Sequence, residues 1–251
     1  CLVGSEMCIR DRTEAGRLFF EESSHIVKNM DHLQHHMADL LLGEAGNIRL
    51  GAVEPIASCE LPRMLGRFLA DYPKIRVAVD IANSSALGER LVQGSLDLAV
   101  CSTPAMGTDL YFEPLYAEEL VVLLPEGHPA GNNERIHLKD LREHRLLITA
   151  NNCTYRKKVE IAFQELPGSQ MNMMEIGSMT ALKNYVAAGL GVALIPKSIV
   201  SPPPPGTIVR FIGDDPISVT FGILCKTASF PLKQADAKLY PVSYTHLRAH
   251  E

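Results

Sequence analysis

The 251-residue sequence has no tryptophan, and it lacks the features of a membrane protein or of a nucleic-acid-binding surface. No stretch approaches the roughly 18 consecutive apolar residues that a membrane-spanning helix needs, although 46% of the residues are apolar. Lys and Arg number 24 against 29 Asp and Glu, so the net charge of −5 does not suggest a basic nucleic-acid-binding patch. The composition therefore predicts a soluble globular protein of one large or two modest domains.

The sequence also lacks common catalytic and metal-binding motifs. It contains no G-x-S-x-G, G-x-x-x-x-G-K-[ST], G-x-G-x-x-G or H-E-x-x-H pattern. His32, His35 and His36 could offer nitrogens to a metal, but no carboxylate-and-histidine arrangement surrounds them, and a solvated helix face is the favoured interpretation. Cys153 precedes a predicted helix and is a candidate nucleophile without an identifiable base. We predict no catalytic residue, metal or cofactor.

Both ends of the chain resemble translated sequencing adapter. Residues 1–12 (CLVGSEMCIRDR) and 241–251 (PVSYTHLRAHE) can be back-translated into nearly complementary strands of one adapter. We therefore expect both segments to be artefacts and take residues 13–240 as the protein. Its cysteines are far apart without a C-x-x-C pair, which favours reduced thiols in the cytoplasm; they are Cys59, Cys101, Cys153 and Cys225.

Residues 13–42 contain no proline and predict one long helix. Its apolar residues follow a 4, 3, 4, 3 spacing, which averages the 3.5 residues of a coiled-coil seam; they are Ile26, Met30, Leu33, Met37 and Leu40. An ordinary amphipathic helix against a globular core is the alternative. We favour a dimerisation helix, because an isolated helix with a narrow apolar stripe needs a partner.

The rest of the chain alternates strand and helix patterns in two similar halves. The first half predicts strands at 48–53, 75–81 and 96–101, with helices at 61–72 and 87–93. The second half predicts strands at 146–149, 173–176 and 192–195, with helices at 154–166 and 180–188. Further strands are predicted at 120–124, 208–212 and 219–225, and a last helix at 230–240. Because β-α-β connections imply parallel pairing, the pattern predicts an α/β fold of two lobes.

Small polar residues follow several of these strands in both halves. In open α/β sheets, ligands bind at the carboxyl ends of strands, where helix N-termini offer free N–H groups. Each residue alone could be a simple N-cap, but their recurrence predicts a cleft between the lobes. Arg156 could pair with a ligand carboxylate or lie on the surface, and Glu54 could accept a ligand amine or be solvated. The candidate set is Glu54, Ser84, Ser85, Ser102, Thr149, Asn151, Cys153, Tyr155, Arg156, Ser178, Met179 and Thr180.

Several ordered motifs together resemble the LysR-type transcriptional regulators. They are T-E-A-G at 13–16, G-N-I-R-L-G-A at 46–52, L-P-R-M-L-G-R-F-L-A-D-Y-P at 61–73, G-S-L-D-L-A-V at 94–100, L-V-V-L-L-P-E-G-H-P at 120–129 and Y-V-A-A-G-L-G-V-A-L-I-P at 185–196. The resemblance covers nearly all of residues 13–240. It implies a bacterial regulator with an N-terminal winged helix-turn-helix, a dimerising linker helix and a two-lobed effector-binding domain similar to type 2 periplasmic binding proteins.

The resemblance also implies a division of the chain. A linker helix would occupy 13–45, lobe I 46–121 and 226–240, and lobe II 122–225, with crossing strands ending near Pro125 and Cys225. The helix-turn-helix is missing from the printed sequence, so we expect contact with promoter DNA only through that absent N-terminal domain. Family members bind effectors with the loops that hold the candidate residues above.

We therefore expect a cytoplasmic, non-enzymatic regulator that forms dimers or tetramers and has no membrane partner. The hydroxyl and amide groups with one Arg suit a small carboxylate or another small anion as effector. One rival is a periplasmic-type solute-binding protein, which would share the fold but need a signal peptide and have no use for a seam-forming helix. Another is an enzyme that uses Cys153 in the cleft.

Overall fold

The computed structural model describes residues 13–103, 109–151, 153–166, 172–227 and 238–239. The two predicted adapter segments, residues 1–12 and 241–251, lie outside this part, as does nearly all of the predicted last helix at 230–240. The helices are α1 (Glu14–Leu41), α2 (Leu61–Asp71), α3 (Ser84–Val92), α4 (Thr154–Gln164) and α5 (Met179–Ala187). The strands are β1 (Ala45–Ala52), β2 (Lys74–Ile81), β3 (Leu98–Ser102), β4 (Leu110–Pro125), β5 (Arg135–Ile136), β6 (Leu146–Ile148), β7 (Met173–Glu175), β8 (Ala193–Pro196), β9 (Thr207–Ile212) and β10 (Ser218–Lys226).

Lobe I is built on β2, β1 and β3, which pair in parallel in that order. This confirms the parallel β-α-β-α-β unit predicted from the sequence. Ile48 and Leu50 of β1 are fully buried, because helices cover the face of the sheet to which they point. The Asp97 carboxylate, just before β3, accepts hydrogen bonds from the backbone N–H of Arg49 at 2.8 Å and from its Nε at 3.1 Å. These bonds fix the register of β1 against the start of β3.

Lobe II repeats this arrangement. Strands β6 and β7 pair in parallel, and Leu146 at the start of β6 forms a parallel bridge with Val192 just before β8. The next strand in each lobe is antiparallel: β10 beside β3 in lobe I, and β4 beside β8 in lobe II. Strands β9 and β5 complete the lobe II sheet. The structure confirms the two similar α/β halves.

Strand β4 connects the lobes. Its first part, up to Glu119, pairs with β10, and its last part, from Leu120, pairs with β8 and β9. The sequence predicted only residues 120–124 of this strand. Strand β10 pairs with β3 of lobe I from Phe221 to Leu224. The chain therefore returns from lobe II to lobe I before Ser218. The prediction that lobe II extends to residue 225 was wrong, because β10 belongs to the lobe I sheet.

The chain between β1 and α2 forms a π-helical turn at Ile56–Glu60, which the sequence pattern did not predict. Such turns insert an extra residue per turn and often occur at functional sites. Here the turn follows Glu54 and Pro55 directly, and its first residue, Ile56, is buried. It therefore fixes the segment that carries Glu54.

Helix α1 ends at Leu41, and Gly43 shortly after it has a φ of 70°, the left-handed conformation that glycine adopts without strain. The predicted long helix is confirmed. Four of its seam residues have large exposed fractions, 67% for Ile26, 61% for Met30 and Leu33, and 50% for Met37. The side chains of Leu40, His32, His35 and His36 lie outside the described part. No helix in the described ranges is both long and apolar enough to cross a bilayer.

Candidate ligand site between the two lobes

A cavity of about 350 Å³ lies between the lobes at the carboxyl ends of β1, β2, β3 and β6. Residues from both lobes line it, and most of the lining is apolar. The lining residues are Val53, Glu54, Pro55, Ile81, Ala82, Asn83, Ser84, Ser102, Thr149, Ala150, Cys153, Thr154, Tyr155, Gly177, Met179 and Phe221. Among these described residues Glu54 is the single charged side chain. The cavity thus has the size and lining of a small-molecule site.

On the lobe I side, α3 begins at the cavity wall. The Asn83 side chain caps this helix by accepting a hydrogen bond from the N–H of Ala86 at 3.0 Å, so α3 begins at Ser84 rather than at the predicted residue 87. The hydroxyls of Ser84 and Ser102 hydrogen-bond each other at 2.8 Å. Both residues are buried, with exposed fractions of 5% and 4%. They present a paired polar group beside the apolar residues of this wall.

On the lobe II side, Thr149 and Tyr155 place hydroxyls at the cavity. Thr149 is 5% exposed; its Oγ1 lies beside the Tyr155 hydroxyl but makes no hydrogen bond of normal geometry with the described residues. The neighbouring Tyr155 hydroxyl lies 2.7 Å from Met179 Sδ, to which it donates, and burial raises the pKa of this phenol. Tyr155 is therefore a neutral donor at any physiological pH. The unpaired Thr149 hydroxyl costs free energy unless a ligand or solvent molecule meets it.

Glu54 of lobe I crosses the cleft to the N-terminus of α5 in lobe II. Its carboxylate accepts hydrogen bonds from Ser178 Oγ at 2.7 Å, from the N–H of Met179 at 2.8 Å and from the N–H of Thr180 at 3.0 Å. Burial alone would raise the pKa of Glu54, but these bonds outweigh it and hold the pKa below the ordinary value. The ionised carboxylate is thus a direct link between the lobes.

Arg156 does not take the predicted place in the cavity lining. Its Nε donates to Glu160 at 2.8 Å, and one terminal nitrogen donates to Glu175 at 2.5 Å and to the carbonyl of Thr149 at 2.6 Å. The guanidinium is therefore committed to lobe II, where it joins α4 to β6 and β7.

In the described residues, no group of three or more His, Cys, Asp or Glu is placed to hold a metal ion.

The structure brings together seven of the twelve candidate residues as cavity lining: Glu54, Ser84, Ser102, Thr149, Cys153, Tyr155 and Met179. Five do not line it: Ser85, Asn151, Arg156, Ser178 and Thr180. Ser85 and Asn151 are exposed, whereas Ser178 and Thr180 contact Glu54 instead. The apolar lining residues Val53, Pro55, Ile81, Ala82 and Phe221 were missed. Ile81 ends β2, and the other three lie within three residues after β1 or β2; that position was the available signal.

A family comparison matches the LysR substrate binding domain over residues 42–237 of this chain. The chain belongs to the LysR family. This is a family of transcriptional regulators and not of enzymes, and its regulatory region is an effector-binding domain with the two-lobed type 2 periplasmic-binding-protein fold. Both the predicted fold class and the predicted family are confirmed.

Individual LysR relatives support this assignment. The HTH-type transcriptional regulator YtlI of Bacillus subtilis (strain 168) is 32% identical over 212 residues, which cover 84% of this chain and 69% of YtlI. The reduced OxyR regulatory domain of Pseudomonas aeruginosa is 25% identical, with a TM-score of 0.71, and the match covers 82% of this chain and 99% of that domain. The effector-binding domain of QuiR in complex with shikimate shares the fold at 20% identity and a TM-score of 0.72, covering 82% and 99%.

The link from Glu54 to α5 makes the stability of this LysR domain depend on pH in a predictable way. A carboxyl group with a depressed pKa in the folded state stabilises the fold above its unfolded pKa of about 4.5 and loses this contribution as the pH falls through the folded value. Glu54→Gln cannot ionise, so the excess unfolding free energy of the wild type over this variant should be constant at neutral pH and shrink below pH 4.5. Urea unfolding of both proteins between about pH 7 and pH 3 measures this difference. A pH-independent difference would contradict the prediction.

Proposed function

We propose that this chain senses a small-molecule effector in the interlobe cavity and transmits its binding to promoter DNA. The observation that supports this most strongly is the buried, unpaired hydroxyl of Thr149 in a cavity that both lobes line. A ligand that contacts both lobes binds their closed arrangement more tightly than an open one, and this difference in affinity limits how far it shifts the population. The shikimate in the QuiR complex is a precedent for a small effector in this fold.

The lining favours a compact effector with an apolar body and hydroxyl or amide groups. Such groups suit the hydroxyls of Ser84, Ser102 and Thr149. The sequence suggested a small carboxylate or another anion as effector. The N-termini of α3 and α4 lie at the cavity wall and offer backbone N–H groups to such an anion. However, the lining residues that the structure describes include no Lys, Arg or His to pair with an anion. We therefore propose an effector that is uncharged at least on the side that faces Glu54.

We further propose that α1 joins two copies of the chain and that pairs of dimers form tetramers. The exposed apolar seam supports this, because burying it against a second α1 removes large side chains from water. Contact with promoter DNA would pass through a region N-terminal to residue 13, and the protein would act in the cytoplasm. Closure of the lobes would then alter the geometry of the oligomer on DNA.

Thr149 gives the experiment that tests the effector site. Compounds from a metabolite library that raise the melting temperature of the chain are titrated by calorimetry into the wild type and Thr149→Val. Because valine keeps the shape and removes the hydroxyl, we expect roughly a fivefold to tenfold loss of affinity, the value of about one hydrogen bond. The stability of the unliganded variant should not fall, since a buried unpaired hydroxyl is removed.

The matched control is Thr103→Val, which removes the same hydroxyl from an exposed residue outside the lining. We expect this variant to bind the same compounds with wild-type affinity. Equal affinity of Thr149→Val and the wild type for every such compound would contradict the proposed site.

A further inference from the structure

Glu54 contacts the N-terminus of α5 in the way that a bound anionic ligand would. A helix N-terminus attracts anions because its first N–H groups are free and the helix dipole is positive there. At α5 these donors are the backbone N–H groups of Met179 and Thr180, and Ser178 adds its hydroxyl. The same Ser178 oxygen also accepts a hydrogen bond from the N–H of Ala181 at 3.1 Å, which holds the hydroxyl in place. All three donors point to one carboxylate, and that carboxylate belongs to the other lobe.

The surroundings of Glu54 show that this contact is built into the fold. Pro55 and the π-helical turn follow it directly, so its backbone has little freedom. Glu54 is also the single charged side chain among the described lining residues. A ligand carboxylate that approached α5 would therefore meet occupied donors and a negative charge, with no cationic side chain in the described lining to offset it.

We propose that Glu54 is a specificity-determining residue whose carboxylate occupies the position at the N-terminus of α5 where a ligand anion would otherwise bind. The cavity therefore accepts effectors that do not place a carboxylate at α5. This inference rests on the proposed effector-sensing function and defines the chemical class of the effector at that position. Glu54 also stabilises the closed arrangement of the lobes without a ligand, because it already makes the contact between lobes that a ligand carboxylate would make.

Acetate is the probe for this proposal. Glu54→Ala removes a CH2–COO⁻ fragment, and acetate supplies the same carboxylate. In Glu54→Ala, acetate should shift the amide resonances of Met179 and Thr180 saturably, with half-saturation on the order of 10 mM, as expected for a ligand of four heavy atoms. It should also raise the melting temperature of this variant. In the wild type, these two amides should not respond to acetate up to about 100 mM, because Glu54 occupies the donors.

Two controls make the result specific. Acetamide, which has the same size without the charge, should not replace acetate. Glu60→Ala removes a carboxylate from the π-helical turn that follows Glu54, but one that pairs with Arg63 at 3.5 Å and does not line the cavity. This variant should behave like the wild type towards acetate at Met179 and Thr180.

Each outcome decides the proposal. A saturable response in Glu54→Ala alone supports it, whereas no response there, or an equal response in the wild type, overturns it. If Glu54→Ala does not fold, Glu54→Gln keeps the side-chain length without the charge, and the proposal then requires a lower melting temperature than that of Glu60→Ala. No effector is needed, so failure here leaves the Thr149→Val test of the proposed function unaffected.

Discussion

Gly222→Ala is expected to lower the free energy of unfolding by about 3 kcal/mol or more. A Cβ at this position would lie 2.2 Å from the carbonyl oxygen of Glu113 and 2.7 Å from Phe112 Cζ. The first of these atoms belongs to the backbone of β4, which cannot move without breaking its pairing with β10. Gly222 also stands where the register of this pair shifts, directly after the cavity residue Phe221. The pair joins β4 to lobe I, so the substitution should weaken the whole two-lobed fold.

Gly66→Ala is the matched control for this prediction. Gly66 lies on the exposed side of α2, and a Cβ there would meet nothing within 4 Å. Because glycine costs a helix about 0.5–1 kcal/mol relative to alanine, this variant should be more stable than the wild type by up to that amount. Urea unfolding followed by circular dichroism measures both changes. Equal stability of the two variants would contradict the assignment of a close backbone contact at Gly222.

The sequence predicted helices and strands best where the apolar residues followed one regular pattern. The parallel strands of lobe I carry continuous apolar runs, and Pro73 and Gly94 end the helices between them. The first half of β4 was missed because Pro114 and the glutamates 118 and 119 interrupt the pattern. This segment is a strand because β10, about 100 residues later in the chain, pairs with it. The π-helical turn at Ile56–Glu60 has no local signature of this kind.

The candidate site was predictable where it depends on position after a strand. Ser84, Ser102 and Thr149 follow or end strands β2, β3 and β6, and the structure places all three at the cavity. The role of Arg156 was not predictable, because it pairs with both Glu160 of α4 and Glu175 of β7, and the second partner is 19 residues away in the sequence. The contact of Glu54 with Ser178 spans 124 residues. Because this contact depends on how the two lobes meet, the spacing of residues within one segment of the sequence cannot predict it.

The seam of α1 gives the second large expected effect. Ile26, Met30, Leu33 and Met37 are half to two-thirds exposed in the single chain. Phe19 lies one heptad before Ile26 and is 75% exposed, so it extends the same stripe towards the start of the helix. Leaving this row of large apolar side chains in water is unfavourable, and pairing with a second α1 would bury it. The chain should therefore be a dimer at micromolar concentration.

Leu33→Glu should weaken that dimer at least about 100-fold. The substitution places a carboxylate from each copy in the apolar seam, and two unpaired buried charges cost at least about 3 kcal/mol. Ala38→Glu is the control, because it adds the same charge at an exposed position just past Met37 in the heptad, on the outer face of α1. Sedimentation equilibrium should find Ala38→Glu dimeric and Leu33→Glu monomeric at the same concentration. A monomeric wild type, or equal association of the two variants, would contradict pairing through this seam and return α1 to the alternative of an ordinary amphipathic helix.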